Sequence, residues 1–171
     1  MAERSGLVTV GGKPVTLVGR ELKEGDVAPN VTVLGNDMEE VQLSSYRGKV
    51  CVISSVGSLD TPTCDVETRR FNAEAGKLGD DVIILTVSMD LPFAQKRWCG
   101  AAGIDKVITF SDHRDAAFGN SYGVLVKESR LLARTIFVVD REGIVRYVQL
   151  VRELADEPDY DAVIAAVKKL A

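Results

Sequence analysis

Two continuous apolar runs, VCVISSV at 50–56 and VIILTVS at 82–88, constrain this chain more than any other feature. Neither alternates with polar residues, so each suits a sheet buried on both faces. The expected core is therefore a partly parallel sheet with helices above and below. Between the runs lies a charged segment predicted to be helical from Cys64 or Asp65 to Leu78, stopped near Gly79. Its Phe71, Ala75 and Leu78 form a stripe suited to burial, with Arg69, Arg70 and Lys77 elsewhere.

The flanking sequence fits the same α/β class. LVTVGGKPVTLV predicts a hairpin over Leu7 to Val18, and the Lys13-Pro14 pair could lengthen its turn. Pro29 precedes a strand near Val31 to Leu34, and SSYRGK makes a loop or short helical turn. Pro92 suits the first turn of a helix that runs through Trp98 to about Ala102 and stops at Gly103. KVITF is a short strand, and DHRDAAFGNSYG a short helix. ARTIFVVDREGIVRYVQL gives two strands joined at Asp140 to Gly143, and Tyr160 to Leu170 a final amphipathic helix. No repeat or long linker interrupts the order, so the 171 residues are expected to form one domain over 1–171.

Net charge of −4 argues against a nucleic-acid surface as the main business. No run is long enough to span a bilayer, and Met1 to Gly12 lacks the layout of a secretory signal, so the cytoplasm is the expected location. Three cysteines are too few for a disulfide scaffold, and their odd number leaves at least one unpaired within the chain.

The cysteines differ in setting. Cys51, between Val50 and Val52, reads as a small buried hydrophobe. Cys64 lies between a strand and a helix, where free amides and the helix dipole favour a thiolate, although Asp65 and Glu67 oppose it. Position alone divides it between nucleophile and buried thiol. The preceding GSLDTPT offers the hydroxyls of Thr61 and Thr63, with Pro62 restricting the approach. Cys99 reads as packing or as the thiol that captures an oxidised partner, and spacing does not separate a stable bridge from a catalytic one. Arg134, entering an apolar strand, is either a strand-end charge reaching water or a group that stabilises a thiolate or orients a polar substrate. Trp98 reads as packing or a lid. There is no C-x-x-C pair, no recognisable metal cluster around the lone His113, and no phosphate-binding glycine loop.

GGKPVTLVG, SLDTPTCDVETRRFN, RWCGAAGI and FGNSYGVLVKESRLLARTIFVVDREG, in this order and spacing, resemble the bacterial thiol peroxidase family, a branch of the peroxiredoxins, over nearly the full length. The resemblance implies a thioredoxin-like central mixed sheet flanked by helices, with an added N-terminal β-hairpin. It also implies a peroxidase reducing hydrogen peroxide and organic hydroperoxides without haem, flavin, metal or other cofactor. Cys64 would be the peroxidatic cysteine and Cys99 the resolving cysteine of the same subunit. Thr61 would hydrogen-bond peroxide and thiolate, Arg134 would hold the thiolate and polarise the substrate, and Glu67 would help position an arginine. Thioredoxin would be the reductant and a homodimer the assembly. One position departs from the pattern: Gly57 stands where the P-x-x-x-T-x-x-C motif has proline. The rivals are a protein thiol–disulfide oxidoreductase and a peroxide-sensing interaction protein.

Overall fold

The computed structural model describes residues 2–171. In chain order its first strands are β1 (Glu3–Val10), β2 (Lys13–Val18), β3 (Thr32–Leu34), β4 (Glu40–Gln42) and β5 (Val50–Ser55). There follow α1 (Pro62–Leu78), β6 (Val82–Ser88), α2 (Pro92–Ala102), β7 (Val107–Ser111) and α3 (Ala117–Ser121). The chain continues through β8 (Leu125–Val126), β9 (Thr135–Val139), β10 (Val145–Leu150) and α4 (Tyr160–Leu170). A seven-stranded mixed sheet has the order β10-β9-β5-β6-β7-β3-β4, and a smaller sheet joins β1, β2 and β8.

The two apolar runs become the central strands β5 and β6, parallel and in register from Val50 opposite Val82 to Ser55 opposite Val87. Side chains alternate across the sheet. Val50, Val52, Ile84, Ile136 and Val138 pack with Phe71 of α1 and with Val163 and Val167 of α4. The intervening Cys51, Ile53, Leu85, Val87, Phe137 and Val139 pack with Phe118, Tyr122 and the hairpin residues Val8 and Leu17. Both faces are covered, which is why neither run could alternate. The stripe on α1 forms as expected: Phe71 is fully buried, with Ala75 and Leu78 packed against its cluster.

Three boundaries differ from the sequence reading, the first being DHRDAAFGNSYG, which is helical only over Ala117–Ser121. The first helix begins at Pro62 rather than at Cys64 or Asp65, because Pro62 occupies the first helical position behind an extended Thr61. Cys64 thus sits inside the first turn, where backbone amides have no helical acceptor. The hairpin begins at Glu3 rather than Leu7. A register shift between Ser5 and Val8, at Gly6 with φ of 78°, carries the pairing past the irregularity to Glu3 opposite Val18. Lys13-Pro14 does not lengthen the turn, since Val10 pairs directly with Lys13 across Gly11 and Gly12, both at positive φ.

The hairpin is strapped to the segment after β10. Thr9 N–H donates to the Arg152 carbonyl at 2.7 Å, and Leu154 N–H to the Thr9 carbonyl at 2.9 Å. The Glu153 carboxylate accepts from Ala155 N–H, Gly12 N–H and the Thr9 hydroxyl. These bonds, first that from Ala155 and next that from Gly12, hold the Glu153 carboxyl below its ordinary range. A depressed folded value means that the carboxylate's stabilisation is complete above the ordinary glutamate pKa of about 4.3 and is lost as pH falls through the lower folded value. Glu153→Gln is expected to lower the melting temperature near neutrality and to converge with the parent in acid. Thermal scans of both proteins across the acid range check this.

Candidate active site

Arg134 immediately precedes β9 and is only 4% exposed, so it is not the solvent-reaching charge of the first alternative. Its guanidinium pairs with Glu67, which is fully buried on α1, and Glu67 also accepts from the Ser54 hydroxyl at 3.1 Å. Nη2 donates to Cys64 Sγ at 3.3 Å and to the Leu154 carbonyl at 2.9 Å, and Nε to the same carbonyl at 3.2 Å. Burial works against the Arg134 charge, but Glu67 and the Cys64 sulfur outweigh it and raise its pKa. Burial likewise pushes the Glu67 carboxyl upward, against the pull of Arg134 and Ser54. The expected opposition of Asp65 and Glu67 to a sulfur anion is therefore answered locally. Glu67 faces Arg134, and Asp65 accepts from Trp98 Nε1 at 2.9 Å and Arg69 Nε at 3.0 Å.

Cys64 is 1% exposed, packed with Val56, Leu59 and Trp98, yet it lines a cavity of about 420 Å³. Val10, Val15, Val126, Leu131, Leu132 and Leu154 make the cavity lining mainly aliphatic, with Arg134, Glu128 and Ser129 among the polar residues that line it. The first helical amide with a helical acceptor is Asp65 N–H, on the Thr61 carbonyl, so the amides of Thr63 and Cys64 precede the helical ladder. Thr61 also lines the cavity, but its hydroxyl donates to the Ser58 carbonyl at 2.8 Å. To donate to sulfur or peroxide it must rotate off that carbonyl. Thr63 donates to the Ala155 carbonyl at 2.9 Å, tying the first turn of α1 to the strapped segment.

Cys99 lies on α2, and Cys51, Cys64 and Cys99 are all free. Cys99 Sγ is 3.5 Å from Thr109 Oγ1, whose own hydrogen goes to Asn36 Oδ1 at 2.9 Å. That arrangement leaves the Cys99 S–H as donor, held on β7 rather than on the cavity. Cys51 is buried among core side chains, as read from sequence, and burial pushes its thiol up to about 11. Among the described residues no three His, Cys, Asp or Glu side chains converge as a metal site, and no helix is long and apolar enough to cross a membrane.

The family model described as Redoxin matches residues 23–164. The thiol peroxidase of Bacillus subtilis is 56% identical over 163 residues, covering 95% of this chain and 97% of that protein. The chain belongs to the redoxin family, among the bacterial thiol peroxidases. A thiol peroxidase of Staphylococcus aureus is 53% identical over 95% of this chain and 98% of its own length. A peroxiredoxin-like protein from Aquifex aeolicus superposes with a TM-score of 0.91 at 44% identity, covering 98% of this chain and 99% of its own. A thiol peroxidase from Chromobacterium violaceum gives 0.85 at 19% identity over 95% of each chain, a likeness of fold.

In this thiol peroxidase several supporting groups escaped the sequence reading. Asp90 accepts from the Ser58 and Ser88 hydroxyls and from Leu59 N–H, fixing the loop before α1 to the end of β6. The Leu154 carbonyl, which takes two bonds from Arg134, has no side-chain signature at all. The polar Ser-Asp pairs at strand ends were the available signal for Asp90.

Arg134→Gln would leave Glu67 buried without its cation, an expected loss of about 3–5 kcal/mol. Urea unfolding checks the loss, and adding Glu67→Gln should restore part of it. At Gly57 a side chain would meet only the Leu132 carbonyl, at 3.9 Å, and the Gly57 N–H donates to no acceptor among the described residues. A Cβ at this position therefore meets no clash, and a proline there would forfeit no backbone hydrogen bond. Gly57→Pro is expected to stabilise by about 0.4–1 kcal/mol through the unfolded chain, read in the same unfolding experiment.

Proposed function

We propose that this thiol peroxidase reduces hydrogen peroxide and organic hydroperoxides with Cys64 as nucleophile and Cys99 as resolving thiol, the whole chain acting as one thioredoxin-like domain. The observation that carries the reading is the Cys64 sulfur, 3.3 Å from a buried guanidinium on the wall of an apolar cavity. Negative charge on sulfur is stabilised there by Arg134, and substrate reaches it from the cavity rather than from open solvent.

The Cys64 thiolate attacks one peroxide oxygen in line with the O–O bond. The S–O bond forms as O–O breaks, and the second oxygen leaves as water or an alcohol after taking a proton. Cys64 becomes a sulfenic acid. Arg134, the amides of Thr63 and Cys64, and a rotated Thr61 hydroxyl supply donors to the two oxygens in transit. The aliphatic wall suits the carbon chain of an organic hydroperoxide.

Cys99 sulfur then attacks Cys64 sulfur, the S–O bond breaks, and hydroxyl and thiol proton leave as water. Because Cys99 is held by Thr109, α2 has to leave β7 and the first turn of α1 has to loosen before the disulfide closes. A thioredoxin-like dithiol returns both thiols and is itself oxidised. The family also supports a homodimer in the cytoplasm, with thioredoxin as the physiological reductant.

Peptide mapping after one equivalent of peroxide should give a Cys64–Cys99 disulfide that thioredoxin reduces. Cys64→Ser should abolish peroxide consumption, and Cys99→Ser should accumulate sulfenic acid without the intrachain bond. Thioredoxin-dependent turnover by Cys99→Ser at the parent rate would overturn the resolving role.

A further inference from the structure

The residue after the peroxidatic cysteine is hydrogen-bonded to the residue before the resolving one. Trp98 Nε1 donates to Asp65 Oδ1 at 2.9 Å, joining the first turn of α1 to the second half of α2. Arg69, one turn along α1, donates to the other carboxylate oxygen at 3.0 Å and reaches the Ala102 carbonyl at 3.4 Å. Its guanidinium carbon lies 5.8 Å from the centre of the indole ring. The indole in turn packs on Val56, Leu59 and Cys64.

Helix α2 is otherwise lightly held along its second half. Firmer anchors come only after it, where Ile104 packs into the core and Asn72 of α1 accepts from the Lys106 and Val107 N–H groups. The only buried residues of α2 are Pro92 and Gln95. Gln95 anchors the first half, donating to the Ser88 hydroxyl and the Phe110 carbonyl. Beyond it, within α2, the restraints are the Trp98 bond, the Arg69 contact at Ala102 and the Cys99 contact with Thr109. Unwinding either cysteine-bearing segment breaks the bond between Asp65 and Trp98, so neither opens without releasing the other.

We propose that the Asp65–Trp98 hydrogen bond, braced by Arg69, is the latch that couples the opening of the two helices and sets how long the Cys64 sulfenic acid waits for Cys99. The proposal rests on the assignment of Cys64 and Cys99 above. Closure of the disulfide competes with a second peroxide, which converts the sulfenic acid to sulfinic acid while releasing water or an alcohol. A tight latch favours the second reaction, and a loose one favours the disulfide. Asp65 and Trp98 are positioning residues, since they act through the mobility of the cysteines rather than on peroxide.

The test is rapid mixing of reduced protein with peroxide, followed by acid quench, thiol alkylation and mass spectrometry of Cys64. Asp65→Ala and Trp98→Phe each remove one end of the bond, and phenylalanine retains most of the packing on Val56 and Leu59 should the alanine variant fold poorly. Each is expected to close the disulfide about tenfold faster, equivalent to about 1.4 kcal/mol, while sulfenic acid forms within about twofold of the parent rate. Both should need more peroxide than the parent to reach the same sulfinic fraction. The double variant should be no faster than the single ones, because the two substitutions remove one interaction. Unchanged or slower closure in Trp98→Phe, or additive acceleration in the double variant, would overturn the latch even with the Cys64–Cys99 disulfide intact. An intrachain disulfide on Cys64 that still closes at the parent rate in Cys99→Ser would instead overturn the cysteine assignment on which the latch rests.

Discussion

A permanent positive charge with almost no access to water organises this molecule. Arg134 cannot give up its proton, so its burial has to be answered by acceptors from the protein. Glu67 arrives from α1, the Leu154 carbonyl from the chain after β10, and the Cys64 sulfur from the first helical turn. Two segments remote from it, the start of α1 and the chain after β10, must meet within hydrogen-bonding distance of one side chain. The parallel pairing of β5 with β6 and the antiparallel pairing of β5 with β9 bring them there. The hairpin contributes indirectly, since Thr9 and Glu153 fix the backbone on either side of Leu154.

The two thiols stand on ground of unequal firmness. Around Cys64 the supporting groups are buried ionic and backbone contacts, which are costly to break one at a time. Around Cys99 the contacts are a thiol on a hydroxyl and a partly exposed indole on a carboxylate. The proposed reaction, which first needs a fixed pocket and then a mobile partner, is matched by that contrast. Helix α2 is held at its proline end and lightly fastened at its cysteine end, so local opening is confined to where it is needed.

Local patterns in the sequence already specified the central strands, the stripe of α1 and the paired glycines of the hairpin, because each rests on periodicity or turn chemistry over a few residues. The start of α1 shifted by one turn's edge, since Pro62 reads equally as a loop residue until its backbone is seen. Strands β4 and β8 are too short for any pattern to emerge: their register comes from neighbours remote in sequence. The site divides in the same way. The motif around Cys64 was readable from its ordered resemblance, and Arg134 from the oddity of a charge beside an apolar strand. Its burial was not, because the groups that neutralise it come from α1 and from a main-chain carbonyl. The Asp65–Trp98 bond was hidden for a related reason: both residues have ordinary local explanations, as a first-turn acid and as packing.

The third cysteine carries a quieter consequence. Cys51 is walled into the sheet, its thiol bonded to the Tyr46 and Lys49 carbonyls and held protonated by burial. Every closed cycle must shuttle electrons in pairs, and an accessible odd sulfur would offer the oxidised centre a wrong mate, within the chain or in a neighbouring molecule. Sequestering Cys51 makes the chain chemically even-numbered: the spectator thiol is enclosed, which leaves Cys64 and Cys99 for the cycle proposed above.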